Sequence, residues 1–260
     1  DYIYFVSNSL KLSNLILAWF LIMKLLISNQ HGAIVMALLP FLYGLFSSQP
    51  VWQHFFLFFA WVALYLMTYP FLNLFKGRNM AMNIKWSLIY GGTSLLFALP
   101  ALYYNWHILY FLLAMLPLVA VNIYYVKQKN ERALLNDFAG IAIFALAGMA
   151  SYYFAERAFD RQIWLVALYP SLFFIATTLY VKSVLRERKN PFYLKASIIF
   201  HFLCVVIFLP FQQYGLALAY FPALLRAIWL PRMKLSVKQV GLAEMVVSLL
   251  FFVLLLLATL

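Results

Sequence analysis

Polar residues recur at helical spacing near one end of several apolar runs. Tyr65, Tyr69, Asn73 and Lys76 follow one another at steps of four, four and three, so on a helix they share a face. Thr178, Lys182, Arg186 and Lys189 do the same further on, and Asn122, Val126 and Lys129 form a shorter stripe. Amide, phenol and cationic groups converging in this way suit the recognition of an anionic headgroup: a phosphate, a diphosphate or a carboxylate. The candidate ligand-binding residues are therefore Tyr69, Asn73, Lys76, Arg78, Asn122, Lys182, Arg186 and Arg188. Each Lys or Arg taken singly has a simpler reading, in which it snorkels to anionic lipid at a helix end.

His31, Arg132, Asn136, Asp137, Glu187, Arg226 and Glu244 read as structural polar residues. Asn136 and Asp137 open an apolar run and are good N-cap types, whose side-chain oxygens satisfy free amides. Glu187, between Arg186 and Arg188, is an ion-pair partner that steadies its loop. Glu244 lies inside an apolar run with Gly241 and Ser248 at three- and four-residue spacing. An embedded carboxylate needs a partner, and Arg226 is the candidate. His201, mid-helix, is expected to hydrogen bond between helices. The sequence has no glycine-rich phosphate loop, GxSxG, HExxH or Cys/His metal spacing, so no catalytic residue, metal or cofactor is assigned.

The elements that position these residues follow from composition. The 260 residues are 67% hydrophobic and only 10% charged, too few charges to coat a water-facing surface. One cysteine excludes a disulfide scaffold, and 26 Phe, 18 Tyr and 7 Trp exclude disorder. A membrane helix needs about 20 apolar residues. Nine such runs lie near 31–47, 51–74, 86–104, 106–126, 136–155, 162–182, 193–211, 213–230 and 241–260. The expected fold is all-α, a polytopic bundle of about nine transmembrane helices forming a single domain over 23–260. Internal prolines (Pro40, Pro70, Pro117, Pro170 and Pro222) suggest kinked helices around an interior space. Residues 1–22 read as an upstream extension, with Met23 a natural translation start, or else as an extra helix.

The net charge of +12 would suggest nucleic acid on a soluble protein. Its distribution says otherwise, because seventeen of the nineteen Lys and Arg fall on one side of the nine-span alternation, leaving Arg157 and Arg161 opposite. By the positive-inside rule the N-terminus is inside, the C-terminus outside, and the location is the cytoplasmic (inner) membrane. The expected partners are membrane lipids, an isoprenoid or quinone-type lipid among them, and no nucleic acid.

Several stretches resemble the YwiC-like family of bacterial membrane proteins. They are Gln30-His31-Gly32-Ala33 with Leu38-Leu39-Pro40-Phe41-Leu42, Thr68-Tyr69-Pro70, Glu131 to Asp137, Tyr180-Val181-Lys182 with Arg186 to Pro191, and Lys238 to Gly241 with Glu244. That resemblance supplies a family and no established activity. A more distant likeness is to the UbiA prenyltransferase superfamily, nine-helix bundles whose aspartate-rich motifs at the ends of helices two and six hold Mg²⁺ against a prenyl diphosphate. The corresponding stretches, 69–78 and 180–189, contain no acid and only Glu187 respectively. Mg²⁺ prefers hard oxygen ligands, so what the likeness implies is a UbiA-like architecture without its metal-dependent chemistry. The expected function is a cytoplasm-facing basic pocket for an amphiphilic anion; the alternatives are a UbiA-like prenyl transferase, a small-solute transporter or an accessory subunit of a membrane complex.

Overall fold

A computed structural model describes residues 25–27, 31–233 and 235–260, and of His31 only the backbone. The expected extension or extra helix over 1–22 lies outside the described residues, as do the side chain of His31 and Lys234. Among the described residues the fold is all-helical, with nine α-helices and no strand. They are α1 (His31–Phe46), α2 (His54–Leu74), α3 (Met80–Tyr104), α4 (Leu109–Lys127) and α5 (Leu134–Glu156). There follow α6 (Arg161–Val181), α7 (Pro191–Val206), α8 (Tyr214–Trp229) and α9 (Val237–Thr259). Seven helical segments are long and apolar enough to cross a membrane, and α1 and α7 are shorter apolar helices. The chain is a multi-pass membrane protein.

Helix boundaries differ from the expected runs where side chains close a turn. α3 begins six residues early because Asn79 takes a left-handed conformation (φ 44°) and Asn83 donates to the Arg78 carbonyl at 2.7 Å. α7 stops at Val206, and turns with a left-handed Gln212 (φ 56°) carry the chain to α8. α9 opens on a capping box in which Ser236 and Gln239 satisfy each other's backbone amides.

In lipid, burial of apolar surface does not drive helices together; close packing and interhelical hydrogen bonds do. α1 and α5 cross backbone to backbone through two glycines. A Cβ on Gly44 would lie 2.1 Å from the Gly148 carbonyl oxygen, and one on Gly148 would lie 2.6 Å from that of Pro40. α6 is the most buried span and packs on α1, α5, α7 and α8, while α9 closes back on α1. Phe173 of α6 stacks on Phe251 of α9 at 4.1 Å, and Tyr220 of α8 donates to the Tyr169 carbonyl at 2.7 Å. The α2–α3 hairpin is held by Trp61, which donates to the Ala37 carbonyl at 2.9 Å, and by His54, whose Nε2 donates to that of Ser151 at 3.0 Å.

Polar side chains gather the connections into two ends. At one, Lys76 meets Glu131 at 2.9 Å and Lys182 meets Asp137 at 3.3 Å, which joins the connections after α2, α4 and α6. At the other, Glu156 accepts from the Gln49 amide at 2.6 Å and Arg157 donates to the Tyr104 carbonyl at 2.9 Å. There Asp160 caps α6 on the Ile163 amide and accepts from the Tyr152 hydroxyl at 2.7 Å.

Candidate functional site

Two polar centres stand out, one at the basic rim and one buried a few turns inside. The rim centre is built by an irregularity at the end of α6. Lys182–Arg186 form a single π turn, closed by the Glu187 amide donating to the Lys182 carbonyl at 2.7 Å. One extra residue in the turn breaks the expected stripe of Thr178, Lys182, Arg186 and Lys189. Lys182 is buried, at 3% exposure, while Arg186 and Lys189 stay at the surface. Lys182 Nζ donates to the Arg132 carbonyl, lies 3.3 Å from Asp137 Oδ2 and sits over the Tyr193 ring. Arg186 Nη1 approaches the same Asp137 oxygen at 3.6 Å. Both distances exceed the 2.7–2.9 Å usual for charge-assisted hydrogen bonds, so one carboxylate is shared loosely by two cations.

Asn122 donates to Asn136 Oδ1 at 2.8 Å, and Asn136 passes the chain to the Glu131 carbonyl at 2.7 Å. Lys76 ends it on the Glu131 carboxylate. Of the eight residues expected to bind a ligand, Lys76 and Asn122 thus share one chain of contacts through Glu131 and Asn136, and Lys182 and Arg186 share a second on Asp137. Asn73 is half-buried, with its carbonyl accepting from the Lys76 amide. Tyr69 and Arg78 are exposed. Arg188 lines an open depression with Arg186, Glu187, Lys189, Asn190 and Pro191, from the connection after α6 to the first residue of α7. That depression lies beside, not between, the helices bearing the two stripes. Tyr65 of the first stripe packs on Phe144 of α5 instead.

The structural assignments at this end shift in two places. Neither Asn136 nor Asp137 is a cap, because α5 starts at Leu134 with Ala133 as N-cap; inside the first turn the Asn136 side chain meets Asn122 and the Asp137 carboxylate meets Lys182 and Arg186. Arg186 reaches Asp137 across the helix interface instead of its neighbour Glu187. Glu131, the partner of Lys76, is not among the expected site residues; it lies in the connection between α4 and α5, where nothing in the sequence marks its partner.

The buried centre joins four helices. Arg226 Nη1 of α8 donates to Glu244 Oε2 of α9 at 2.7 Å, the pairing expected from the sequence. Its Nη2 lies 3.2 Å from Thr177 Oγ1 of α6 and 3.1 Å from His201 Nε2 of α7. His201 Nδ1 faces the Ser197 carbonyl at 2.7 Å. A carbonyl only accepts, so Nδ1 carries the proton and Nε2 accepts from Arg226: a neutral imidazole. The Tyr180 ring lies 4.5 Å under the guanidinium. Thr177, Tyr180 and Ser197 were not anticipated, since a hydroxyl within an apolar run carries no mark of its partner. On α7, Tyr193, Ser197 and His201 recur every four residues, so one face runs from the rim lysine to the buried arginine.

Among the described residues no three His, Cys, Asp or Glu side chains gather as ligands of a metal ion would. The sequence model of the YwiC-like protein family matches residues 27–152. A Haemophilus influenzae (strain Rd) protein named only "Uncharacterized protein" is 64% identical over 238 residues, 92% of this chain and 100% of that protein. "Uncharacterized protein YwiC" of Bacillus subtilis (strain 168) is 37% identical over 224 residues, 86% of this chain and 94% of that protein. No solved structure matches.

Proposed function

The chain belongs to the YwiC-like protein family, and from that premise we propose that this multi-pass membrane protein binds an amphiphilic anion at the basic end of its bundle. The observation that carries the reading is the shared carboxylate: Asp137 serves both Lys182 and Arg186 at 3.3 and 3.6 Å, leaving one positive charge in excess. A buried lysine in that position favours a second anion, and a phosphate offers the oxygens both cations can reach. Arg188 and Lys189 in the adjoining depression add charge for the outer part of the headgroup. The apolar tail lies against the Phe- and Leu-rich helix faces, as for a phospholipid or an isoprenoid or quinone-type lipid bearing an anionic head.

In this reading the basic end faces the cytoplasm and the membrane is the cytoplasmic one. Positive loops stay on the side from which the chain inserts, and the nine-span alternation of the sequence assigns seventeen of nineteen Lys and Arg to that side. The start of α1 is then inside and the end of α9 outside.

Native mass spectrometry of the detergent-purified protein with dioleoyl phosphatidylglycerol, farnesyl phosphate and dioleoyl phosphatidylcholine tests the proposal. The two net anions bind and phosphatidylcholine does not. Lys182→Ala with Arg186→Ala lowers their affinity by more than about tenfold, as loss of charge-assisted contacts requires. Equal retention of phosphatidylcholine, or binding unchanged in the double variant, overturns it.

A further inference from the structure

Gly140 sits inside α5 with neither of the usual reasons for a glycine there. Glycine weakens a helix interior, so its presence calls for a left-handed backbone or for the close approach of another segment. The described glycine with a positive φ is Gly77, and a Cβ built on Gly140 would meet no described atom within 4 Å. Gly148, two turns further along the same helix, is the contrast: a Cβ there would lie 2.6 Å from the Pro40 carbonyl oxygen.

The space beside Gly140 is framed by contacts to three other helices. Residues three and four apart are neighbours on a helix surface, so Asn136, Asp137 and Phe144 surround Gly140, which is itself half-buried. Asn136 accepts from Asn122 of α4 at 2.8 Å, and Asp137 lies 3.3 Å from Lys182 at the end of α6. Phe144 packs on Tyr65 and Trp61 of α2, with ring centroids 6.2 and 6.3 Å apart. Each neighbour of Gly140 thus meets a different helix, and the position between them is left unfilled among the described residues.

That position lies three residues past Asp137, about 5 Å farther from the rim at 1.5 Å rise per residue. A phosphate ester held by Lys182 and Arg186 beside Asp137 has its first few carbons within reach of that depth. We propose that the space beside Gly140 takes the apolar chain of the anion whose head lies at the rim, which makes Gly140 a position that selects ligands by their chain. The inference rests on the rim reading and extends it from the head to the tail. In lipid such a chain gains nothing by leaving water; it gains by filling a gap whose walls otherwise lack contacts. A gap opened by one missing side chain suits a slender chain, acyl or isoprenoid, and not a fused-ring body.

A farnesyl phosphate analogue carrying a diazirine in its chain tests this on the detergent-purified full chain, with peptide mass spectrometry locating the label. The label is expected within residues 136–144 of α5 or on the α2 and α4 residues that meet them. It is expected to be competed away by farnesyl phosphate and to fall several-fold in Lys182→Ala with Arg186→Ala. Gly140→Leu, which fills the space, is expected to lower it several-fold as well. Gly92→Leu adds the same bulk at an exposed position of α3 with equally open surroundings, and leaves it unchanged. Label that depends on the rim cations but falls elsewhere on the chain overturns the tail site and leaves the rim reading standing; undiminished label in Gly140→Leu does the same. Label indifferent to Lys182 and Arg186, or no competed label at all, overturns both. Because the label is located on the unmodified protein, that outcome does not depend on any variant folding.

Discussion

Asp137 and Glu244 both sit on membrane helices and both meet an arginine, yet the two centres are balanced differently. Asp137 has its side chain 20% exposed and shares one oxygen between Lys182 and Arg186 at 3.3 and 3.6 Å. Glu244, 9% exposed, has a single cation at 2.7 Å, and that cation is tied to Thr177 and His201 as well. The rim centre has charge to spare and slack geometry, which suits exchange with an outside anion. The buried centre has matched charge and short contacts on four helices. There, ions are costly to uncover, because the surrounding medium offers neither water nor counter-ions. The same pair of functional groups is thus loosely shared at one depth and fastens helices at the other.

Removing one partner from each centre puts this contrast to its hardest test. Arg226→Ala leaves Glu244 as an uncompensated buried charge and is expected to destabilise the fold by about 3–5 kcal/mol. Replacing both groups, Arg226→Leu with Glu244→Leu, is expected to cost less than either single change, because no charge is stranded. Asp137→Ala strands the buried Lys182, but at the loosely paired and partly solvated rim, where the Arg132 carbonyl still accepts from it, and is expected to cost less than Arg226→Ala, about 1–3 kcal/mol. Thermal unfolding of the parent protein, the single variants and the double variant in one detergent gives the order; an Asp137→Ala cost equal to that of Arg226→Ala would erase the distinction.

A smaller effect is expected at the rim alone. Asp137→Asn removes the internal carboxylate that competes for Lys182 and Arg186, so phosphatidylglycerol is expected to bind several-fold more tightly at low salt. Screening shrinks that gain as ionic strength rises toward about 1 M, where the Debye length is about 3 Å. A titration of the anionic lipid at two salt concentrations checks both signs. Weaker binding by the Asn variant would mean that Asp137 orients the cations for the ligand instead of competing with it.

What can be read from the sequence follows the same physical division. Nine apolar runs between short polar breaks specify the helices, because lipid obliges every backbone group to be satisfied within its own segment. The Arg226–Glu244 pair is legible because an acid inside an apolar run demands a cation and few lie at its depth. The rim is less legible, since stripes at regular spacing presuppose a regular helix. The π turn at Lys182–Arg186 removes that premise, burying Lys182 and leaving Lys189 at the surface. Asp137 looks like a cap in the sequence because its distance from the helix start is a matter of three residues, within the ordinary error of any boundary read from sequence. Neither Thr177 nor Tyr180 could be foreseen, because their roles depend on which helices become neighbours.

A third carboxylate, Asp160, serves as the control that is neither surplus nor sealed. It lies in the connection between α5 and α6 at the end opposite the basic rim, accepting from the Tyr152 hydroxyl at 2.7 Å and the Ile163 amide at 3.1 Å. The Tyr152 hydrogen bond first, then that amide and its neighbours, hold its carboxyl below the ordinary aspartate range. A carboxyl lowered in the native state binds fewer protons there than in the unfolded chain. Its stabilising contribution is therefore complete above the unfolded value, near 3.9, declines as the pH falls below it, and is gone once the pH passes the lowered native value. Because the partners are a neutral hydroxyl and backbone amides, added salt leaves this contribution nearly unchanged, unlike the ion pairs at the rim. Tyr152→Phe is expected to move the acid decline upward in pH, toward the unfolded value, and Asp160→Asn to remove it. The measurement is thermal unfolding from pH 5 downward, and the shift should be the smallest of the three centres, since the group is close to water. An acid decline identical in all three proteins would show that the cap contributes nothing through its charge, and would leave the contrast between Asp137 and Glu244 to stand on burial alone.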